Sequence, residues 1–226
     1  MLVRYWMSRD VITIDENESL QKAAKVLQEN QIKILPVMRN GTLVGVITDR
    51  DVKRASASDA TTLDAHELHY LLSKLKIKEI MTKNPITVPD DYTVEEVAGI
   101  LLEHKISGVP VVNEEGKLVG VITKTDLFRL ILALTGARNG GVQFAFQIED
   151  RPGSIKEVTD IFRKYGGRMA SILSSRERCP EGYRFVYIRM YELDRQKIPK
   201  LKEEIEKTAT MLYMVDHSEN RREIYV

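Results

Sequence analysis

The chain has 226 residues, of which 43% are hydrophobic and 30% are charged. This apolar content excludes a disordered polymer and is ample for two small domains. The formal net charge of +1 gives the chain no overall field toward nucleic acid or an anionic membrane, so neither is expected as a partner.

Cysteine content and apolar runs bear on location. The single cysteine, Cys179, excludes an intramolecular disulfide and favours a reducing compartment. The N-terminal segment lacks the apolar stretch of a signal peptide, and the most apolar segment, residues 127–134, is too short to span a membrane. We therefore expect a cytoplasmic protein.

The first half of the chain contains an internal repeat, in which one sequence unit occurs twice. WMSRDVITI at residues 6–14 recurs as IMTKNPITV at 80–88, KILPVM at 33–38 as SGVPVV at 107–112, and GTLVGVITDRD at 41–51 as GKLVGVITKTD at 116–126. A repeat of this kind predicts two structurally equivalent copies.

Each copy predicts the same elements in the same order. A short strand, at residues 11–14 or 86–88, precedes an amphipathic helix. Ser19 is a candidate N-cap of the first such helix, and Thr93 with Glu96 forms a candidate capping box for the second. Two strands follow, joined at Asn40-Gly41 in copy one and Glu115-Gly116 in copy two, before a further helix.

The predicted boundaries divide the chain at changes of pattern. Copy one covers residues 1–55, an inserted helical segment covers 56–79, and copy two covers 80–135; a glycine-rich linker at 136–141 precedes a second domain at 142–226. The insert has a helical leucine stripe at Leu68, Leu71, Leu72 and Leu75, with Asp64 and Glu67 as another candidate capping box.

The second domain has a different element order. Alternation over residues 142–148 predicts a strand, and the turn at 150–153 leads into a helix closed by Gly166-Gly167. Strands at 169–175 and 183–191, a helix through Ile198, Leu201 and Ile205, a strand at 211–215 and a short C-terminal tail complete it. The order βαββαβ predicts a ferredoxin-like α+β domain, so the whole is a two-domain α+β and α/β protein.

The motif most suggestive of binding is G-V-I-T-x-x-D, which occurs in both copies. A strand ends at Thr48 or Thr123, and Asp51 or Asp126 lies in the first turn of the next helix. The helix start and the threonine hydroxyl could hold a phosphate, while the carboxylate accepts from ribose hydroxyls. The same spacing also describes a capping box, in which the two side chains only satisfy backbone groups, and on spacing alone we favour the cap.

Residues 1–135 resemble a pair of CBS domains, or Bateman module, because both copies carry the hPV and GhhTxxD signatures. The resemblance implies a pseudo-twofold module with two clefts for ATP, ADP, AMP or S-adenosylmethionine, and a regulatory role rather than an enzymatic one. It assigns the ribose to the motif aspartates and phosphate to the motif threonines. The remaining cleft walls it implies are Thr13, Ile34 and Pro36 in copy one and Thr87, Gly108 and Pro110 in copy two.

The copies differ in charge beside the motif. Copy one reads Asp49-Arg50 where copy two reads Lys124-Thr125. Our hypothesis is that the Asp126 cleft is the better polyphosphate site, because Lys124 adds a cation to a helix start. The alternative is that Lys124 points to solvent.

Residues 142–216 resemble an ACT domain on their element order and the D-R-P-G-S-I turn. The resemblance implies an amino-acid site at a dimer interface, with candidate residues Asp150, Gly153, Ser154, Ile155 and Arg168. Arg168-Met169 departs from the usual Asn-Ile or Asp-Ile of that family, so dimerisation without a ligand is an equally strong expectation.

The combination of modules resembles the acetoin utilization protein B family, which implies regulation linked to acetoin metabolism. We thus expect a homodimeric sensor with no obligatory cofactor, acting on an unidentified protein. The alternatives are an assembly protein without a nucleotide response, or metal binding through His66, Glu67 and His69 of the insert. With no third ligand in view, we predict no metal site. No catalytic constellation is recognisable.

Overall fold

The computed structural model describes residues 1–59 and 72–225. It divides into two compact units, Met1–Phe128 and Arg129–Val226. The predicted Asp64–Glu67 capping box, Leu68, Leu71 and the histidines of the insert lie outside the described residues. The predicted linker at 136–141 remains a prediction.

The N-terminal unit contains both sequence copies. Copy one forms β1 (Ile14–Asp15), α1 (Leu20–Glu29), β2 (Ile34–Arg39), β3 (Thr42–Thr48) and α2 (Asp49–Asp59). Next come α3 (Ile77–Ile80) and β4 (Thr82–Lys83), then the copy-two elements β5 (Val88–Pro89), α4 (Val94–Glu103), β6 (Gly108–Val112), β7 (Leu118–Thr123) and α5 (Lys124–Leu134). The equivalence predicted from the repeat is therefore confirmed.

The predicted helix starts and the first hairpin are confirmed. The Ser19 hydroxyl accepts from the Lys22 amide at 3.2 Å. Thr93 and Glu96 form a reciprocal capping box. Asn40 and Gly41 both have positive φ, 50° and 81°, as the tight turn between β2 and β3 requires.

The two copies exchange short segments crosswise. β4, at the start of copy two, pairs with β3 of copy one, and Ser8, near the start of copy one, pairs with Val121 of β7. These pairings bring Met81 against Gly45 and Met7 against Gly120, so closely that a Cβ on either glycine would overlap the methionine sulfur. The glycine of each G-V-I-T motif thus leaves room for a methionine at the start of the other copy.

Apolar clusters stabilise the N-terminal unit, and two of them position the motif strands. The larger cluster packs α1 against β2 and β3 through Leu20, Leu27, Leu35 and Ile47. A smaller cluster joins Ile34 and Val46 of copy one to Val121 of copy two. The second cluster shows that the two sheets face each other close to the ends of their motif strands.

The C-terminal unit is a five-stranded antiparallel sheet with helices on one face. Its elements are β8 (Val142–Glu149), α6 (Ser154–Lys164), β9 (Arg168–Ser175), β10 (Tyr183–Tyr191), α7 (Ile198–Ile205), β11 (Thr210–Asp216) and β12 (Arg221–Ile224). The strand order is β12-β11-β8-β10-β9. The first six elements give the βαββαβ order predicted, and Phe144, Phe146 and Phe162 lie fully buried in the core.

Two local predictions are corrected. The strands predicted at residues 11–14 and 86–88 begin later, as β1 and β5, because each pairs with its neighbour over two residues only. α2 runs to Asp59 and so crosses the predicted boundary of copy one at residue 55, which itself remains a prediction. The C-terminal tail forms β12, which pairs with β11 from Tyr213 to Asp216.

Candidate functional site

The first candidate cleft lies where β3 ends and α2 begins. The Asp51 carboxylate accepts from the Thr48 hydroxyl at 2.7 Å and from the Thr48 amide at 3.0 Å. The Asp51 amide in turn donates to the Thr48 hydroxyl at 3.2 Å. Asp51 is 8% exposed, which is unusual for a carboxylate and shows how firmly the strand end and helix start enclose it.

The second candidate cleft repeats this geometry at the junction of β7 and α5. The Asp126 carboxylate accepts from the Thr123 hydroxyl at 2.7 Å and from its amide at 2.9 Å. Asp126 is 6% exposed. The hydrogen bonds are those of a capping box, so the cap interpretation of the spacing is realised at both junctions.

A capping carboxylate retains acceptor capacity, because each carboxylate oxygen offers two lone pairs. In copy one, Oδ2 of Asp51 faces Thr48, while Oδ1 accepts from Arg54 at 3.0 Å. Sequence reasoning missed Arg54. The signal was present, since Arg129 follows Asp126 at the same three-residue spacing.

Strand register places four of the predicted wall residues opposite the two motif strands. Ile34 pairs with Thr48 and Pro36 with Val46 in copy one, as Gly108 pairs with Thr123 and Pro110 with Val121 in copy two. Thr13 and Thr87 precede β1 and β5, the parallel neighbours of β2 and β6. Both threonines are exposed.

The two junctions differ in bulk and charge. Ile34 is buried beside Thr48, whereas a Cβ on Gly108 would approach the Thr123 methyl to 2.9 Å, so the second junction lacks an isoleucine side chain. At the helix starts, the Asp49 carboxylate lies 3.4 Å from the Lys53 amine, and Lys124 occupies the matching position in copy two.

At the candidate amino-acid site of the C-terminal unit, the turn at residues 150–153, the polar side chains already have partners within the unit. Asp150 pairs with Arg176 and, at 2.7 Å, with Arg184. The Arg176 guanidinium holds the pKa of the Asp150 carboxyl below its ordinary value. Gly153 has φ of 88°, and the Ser154 hydroxyl donates to the Arg151 carbonyl at 2.9 Å. Ile155 packs against the core.

Arg168 is not brought to this turn. It begins β9 and pairs with Tyr191, whereas the turn follows Glu149, which pairs with Tyr183 at the other end of β10. The Arg168 guanidinium lies 3.4 Å from Glu192 and is 79% exposed. The structure therefore separates Arg168 from the other four residues of the predicted amino-acid site.

The described residues hold neither a metal cluster nor a membrane-spanning helix. Within residues 1–59 and 72–225 no group of three His, Cys, Asp or Glu side chains is placed to hold a metal ion. No helix in that part of the chain is long and apolar enough to cross a membrane.

The pairing of strands between the copies and the two threonine–aspartate junctions define a tandem module of two equivalent copies. The chain belongs to the CBS domain family, whose model matches residues 3–58 and 77–133. This confirms the resemblance of the N-terminal half. CBS domains are typically regulatory modules, both within enzymes and in other proteins. This chain matches known proteins over its CBS pair.

Among curated proteins, a CBS domain-containing protein of Dictyostelium discoideum is 35% identical over 58% of this chain and 92% of its own length. Inosine-5'-monophosphate dehydrogenase of Korarchaeum cryptofilum is 38% identical over 53% of the chain, but only 22% of that enzyme is covered. Among solved structures, the CBS domain pair of protein MJ0100, in complex with 5'-methylthioadenosine and S-adenosyl-L-methionine, matches 58% of this chain and 99% of its own at 37% identity and a TM-score of 0.50.

Proposed function

We propose that this chain is a regulatory protein whose two CBS clefts bind an adenosyl ligand: ATP, ADP, AMP or S-adenosylmethionine. The observation that carries the proposal is the duplicated junction, in which a threonine at a strand end faces a nearly buried aspartate at a helix start. The MJ0100 pair, which carries adenosyl ligands, supports it.

The proposed roles follow from the donors and acceptors at each junction. Asp51 and Asp126 accept from the ribose hydroxyls, while Thr48 and Thr123 with the helix-start amides hold phosphate or carboxylate. Adenine lies against the walls formed by Thr13, Ile34 and Pro36, or by Thr87, Gly108 and Pro110. Binding regulates the protein only through different affinities for two states.

A thermal-shift panel of the four ligands tests this proposal. A ligand at about one hundred times its dissociation constant adds about 2.7 kcal/mol of stability, so one member should raise the melting temperature clearly. The Asp51→Ala, Asp126→Ala double variant should show at most about half of that stabilisation, because a tenfold loss of affinity leaves about 1.4 kcal/mol at the same ligand concentration.

The matched control is Glu96→Ala. Glu96 makes the same reciprocal bonds with Thr93 at the start of α4, outside both clefts. Glu96→Ala should weaken the cap of α4, as each aspartate variant weakens the cap of its own helix, yet leave the ligand shift intact. A flat response to every ligand would favour an assembly protein without a nucleotide response.

We propose that the two clefts are unequal. The Asp126 cleft has Lys124 at its helix start and no isoleucine wall, whereas the Asp51 cleft has Asp49 there, so ATP favours copy two. Calorimetric titration with ATP should show a greater loss of affinity for Asp126→Ala than for Asp51→Ala. Equal losses would contradict the asymmetry.

We propose that the chain forms a homodimer. Phe128 and Ile131 are 64% and 52% exposed and lie three residues apart on α5, so they share a helix face, and exposed apolar patches mark interaction surfaces. Light scattering should show a dimer that Phe128→Glu weakens. Tyr5→Glu, at an equally exposed aromatic on another element, should leave the dimer intact; a monomeric wild type would refute the proposal.

We propose that the C-terminal unit is an ACT domain, supported by its βαββαβ order and by Gly153 at the helix start. Its paired Asp150 and remote Arg168 favour a role in dimerisation over amino-acid binding. The combination of modules favours a regulatory link to acetoin metabolism. Amino acids included in the same thermal-shift panel test the binding alternative.

A further inference from the structure

The C-terminal sheet has one face that its helices leave uncovered. Val142, Phe144, Phe146 and Ile148 of β8 point into the helix-covered core, so the alternate residues, including Gln143 and Ala145, lie on the other face. Register extends that face across the sheet, since residues opposite one another share a face.

Arg189 is buried on this open face, and no carboxylate among residues 1–59 and 72–225 forms a hydrogen bond or ion pair with it. It pairs with Gln143 in register, is 4% exposed, and donates to the Gly140 carbonyl and the Gln143 side-chain carbonyl, each at 2.9 Å. Its Nε–H has no hydrogen-bond partner. A buried guanidinium paired only with neutral oxygens is costly, so an anion that met it would be held strongly.

Two further basic side chains lie at the same end of the face. Arg222 pairs with Val215, which pairs with Gln143, so one row runs from Arg222 to Arg189. The amide of His217 donates to the Gly141 carbonyl. Gly141 follows Gly140, whose carbonyl accepts from Arg189. Burial, and then the charges of Arg189 and Arg222, hold the pKa of His217 below its ordinary value, against the effect of Asp216.

The next row of the face is apolar. Register places Ile224, Tyr213, Ala145, Tyr187 and Leu173 side by side across the five strands. Ile224 is 64% and Leu173 39% exposed, and the Gln143 side chain donates to the Tyr213 hydroxyl at 3.4 Å, between the two rows. A basic row therefore borders an apolar one.

We propose that this face binds a small organic anion, whose carboxylate or phosphate group meets Arg189, Arg222 and His217 and whose apolar part lies on Tyr187 and Tyr213. The site is distinct from the CBS clefts. It also lies at the opposite end of β8 from the Asp150 turn.

The test titrates the full chain with four anions at constant ionic strength: 3-methylbutanoate, acetate, phenyl phosphate and inorganic phosphate. The His217 imidazole shift in NMR spectra, assigned with His217→Asn, reports binding at the site itself. Each anion with an apolar part should bind about tenfold more tightly than its small counterpart. The two pairs also distinguish a carboxylate from a phosphate ligand.

Neighbouring arginines provide a matched pair of variants. Arg222→Gln should weaken binding at least about tenfold, because it removes a charge-assisted contact. Arg221→Gln should not, because the Arg221 side chain forms an ion pair with Glu223, and Arg221 lies opposite Asp216 in register, on the other face. Arg189→Lys should also weaken binding, since lysine lacks the planar fork; near-ultraviolet dichroism checks that it folds.

No saturable shift with any anion, or equal binding by Arg221→Gln and Arg222→Gln, would overturn the proposal. Acetate binding as tightly as 3-methylbutanoate, with phosphate matching phenyl phosphate, would overturn the apolar half of the site. A change of oligomeric state in Arg222→Gln without anion binding would assign the face to a second copy and overturn it entirely.

Discussion

Gly45 and Gly120 are the residues at which each copy packs against a methionine from the start of the other copy. A Cβ on Gly45 would approach the Met81 Sδ to 2.5 Å and the Thr82 carbonyl oxygen to 2.9 Å, whereas the three closest atoms at Gly120 belong to the Met7 side chain. A flexible thioether can move aside more cheaply than a backbone carbonyl. Gly45→Ala should therefore cost about 1–3 kcal/mol of unfolding free energy, and Gly120→Ala less.

For Gly99 on α4, we expect alanine substitution to have the opposite effect on stability. It lies inside an exposed helical stretch, and an alanine Cβ at this position would meet no heavy atom within 4 Å. Gly99→Ala should stabilise the protein by about 1 kcal/mol, because alanine favours the helix. Urea unfolding of the three variants compares them directly; a destabilised Gly99→Ala, or equal costs at Gly45 and Gly120, would contradict these contacts.

Residues that act on near neighbours in sequence were predictable, and those that act across the fold were not. The caps formed by Ser19, by Thr93 and by the threonine–aspartate pairs depend on spacings of three residues, so they can be predicted from the sequence. The contact of Met81 with Gly45 depends on strand exchange between copies. Arg189, Arg222 and His217 lie at the same end of one sheet face only because four strands are in register, which no local pattern reveals.

At the scale of elements, β12 is held to α7 by charge. Glu223 accepts from Lys202 of α7 at 2.5 Å and from the Tyr225 hydroxyl at 2.6 Å. The Lys202 amine, with the tyrosine hydroxyl, lowers the pKa of Glu223 to about 2.

The ion pair between Glu223 and Lys202 predicts that the free energy of unfolding depends on pH. Because the folded pKa lies below the ordinary value, the stabilisation is present above about pH 4.5 and is lost as the pH falls toward 2. Glu223→Gln should be less stable than wild type at pH 6, and the gap should close in acid. Exposed Glu181→Gln is the control; a constant gap from pH 6 to 2.5, measured by urea unfolding, would contradict the ion pair.

Element order was predictable from periodicity, as were the ends of most strands in the C-terminal unit, whereas the ends of the short strands β1 and β5 and the existence of β12 were not. The strands of the C-terminal unit agree with their predicted ranges to within a residue, since apolar alternation marks them clearly. β12 escaped prediction because Arg221, Arg222 and Glu223 show no apolar alternation, and its pairing with β11 is what makes it a strand. α2 runs past residue 55 because the Ala-Ser run there contains no helix-breaking residue.

At the scale of the whole molecule, the chain comprises two compact units with separate cores. Ligand binding in the CBS clefts should therefore slow amide exchange chiefly within Met1–Phe128, around the ends of β3 and β7. Hydrogen exchange with and without S-adenosylmethionine measures this. Protection confined to Arg129–Val226 would place the adenosyl site in the wrong unit.

The most direct test is calorimetric titration of the full chain with S-adenosylmethionine and ATP, comparing wild type, the Asp51→Ala, Asp126→Ala double variant and Glu96→Ala. Wild type and Glu96→Ala should bind at least one ligand alike, and the double variant should lose about tenfold or more in affinity through the missing charge-assisted bonds. Unchanged affinity in the double variant would contradict the claim that these aspartates hold an adenosyl ligand.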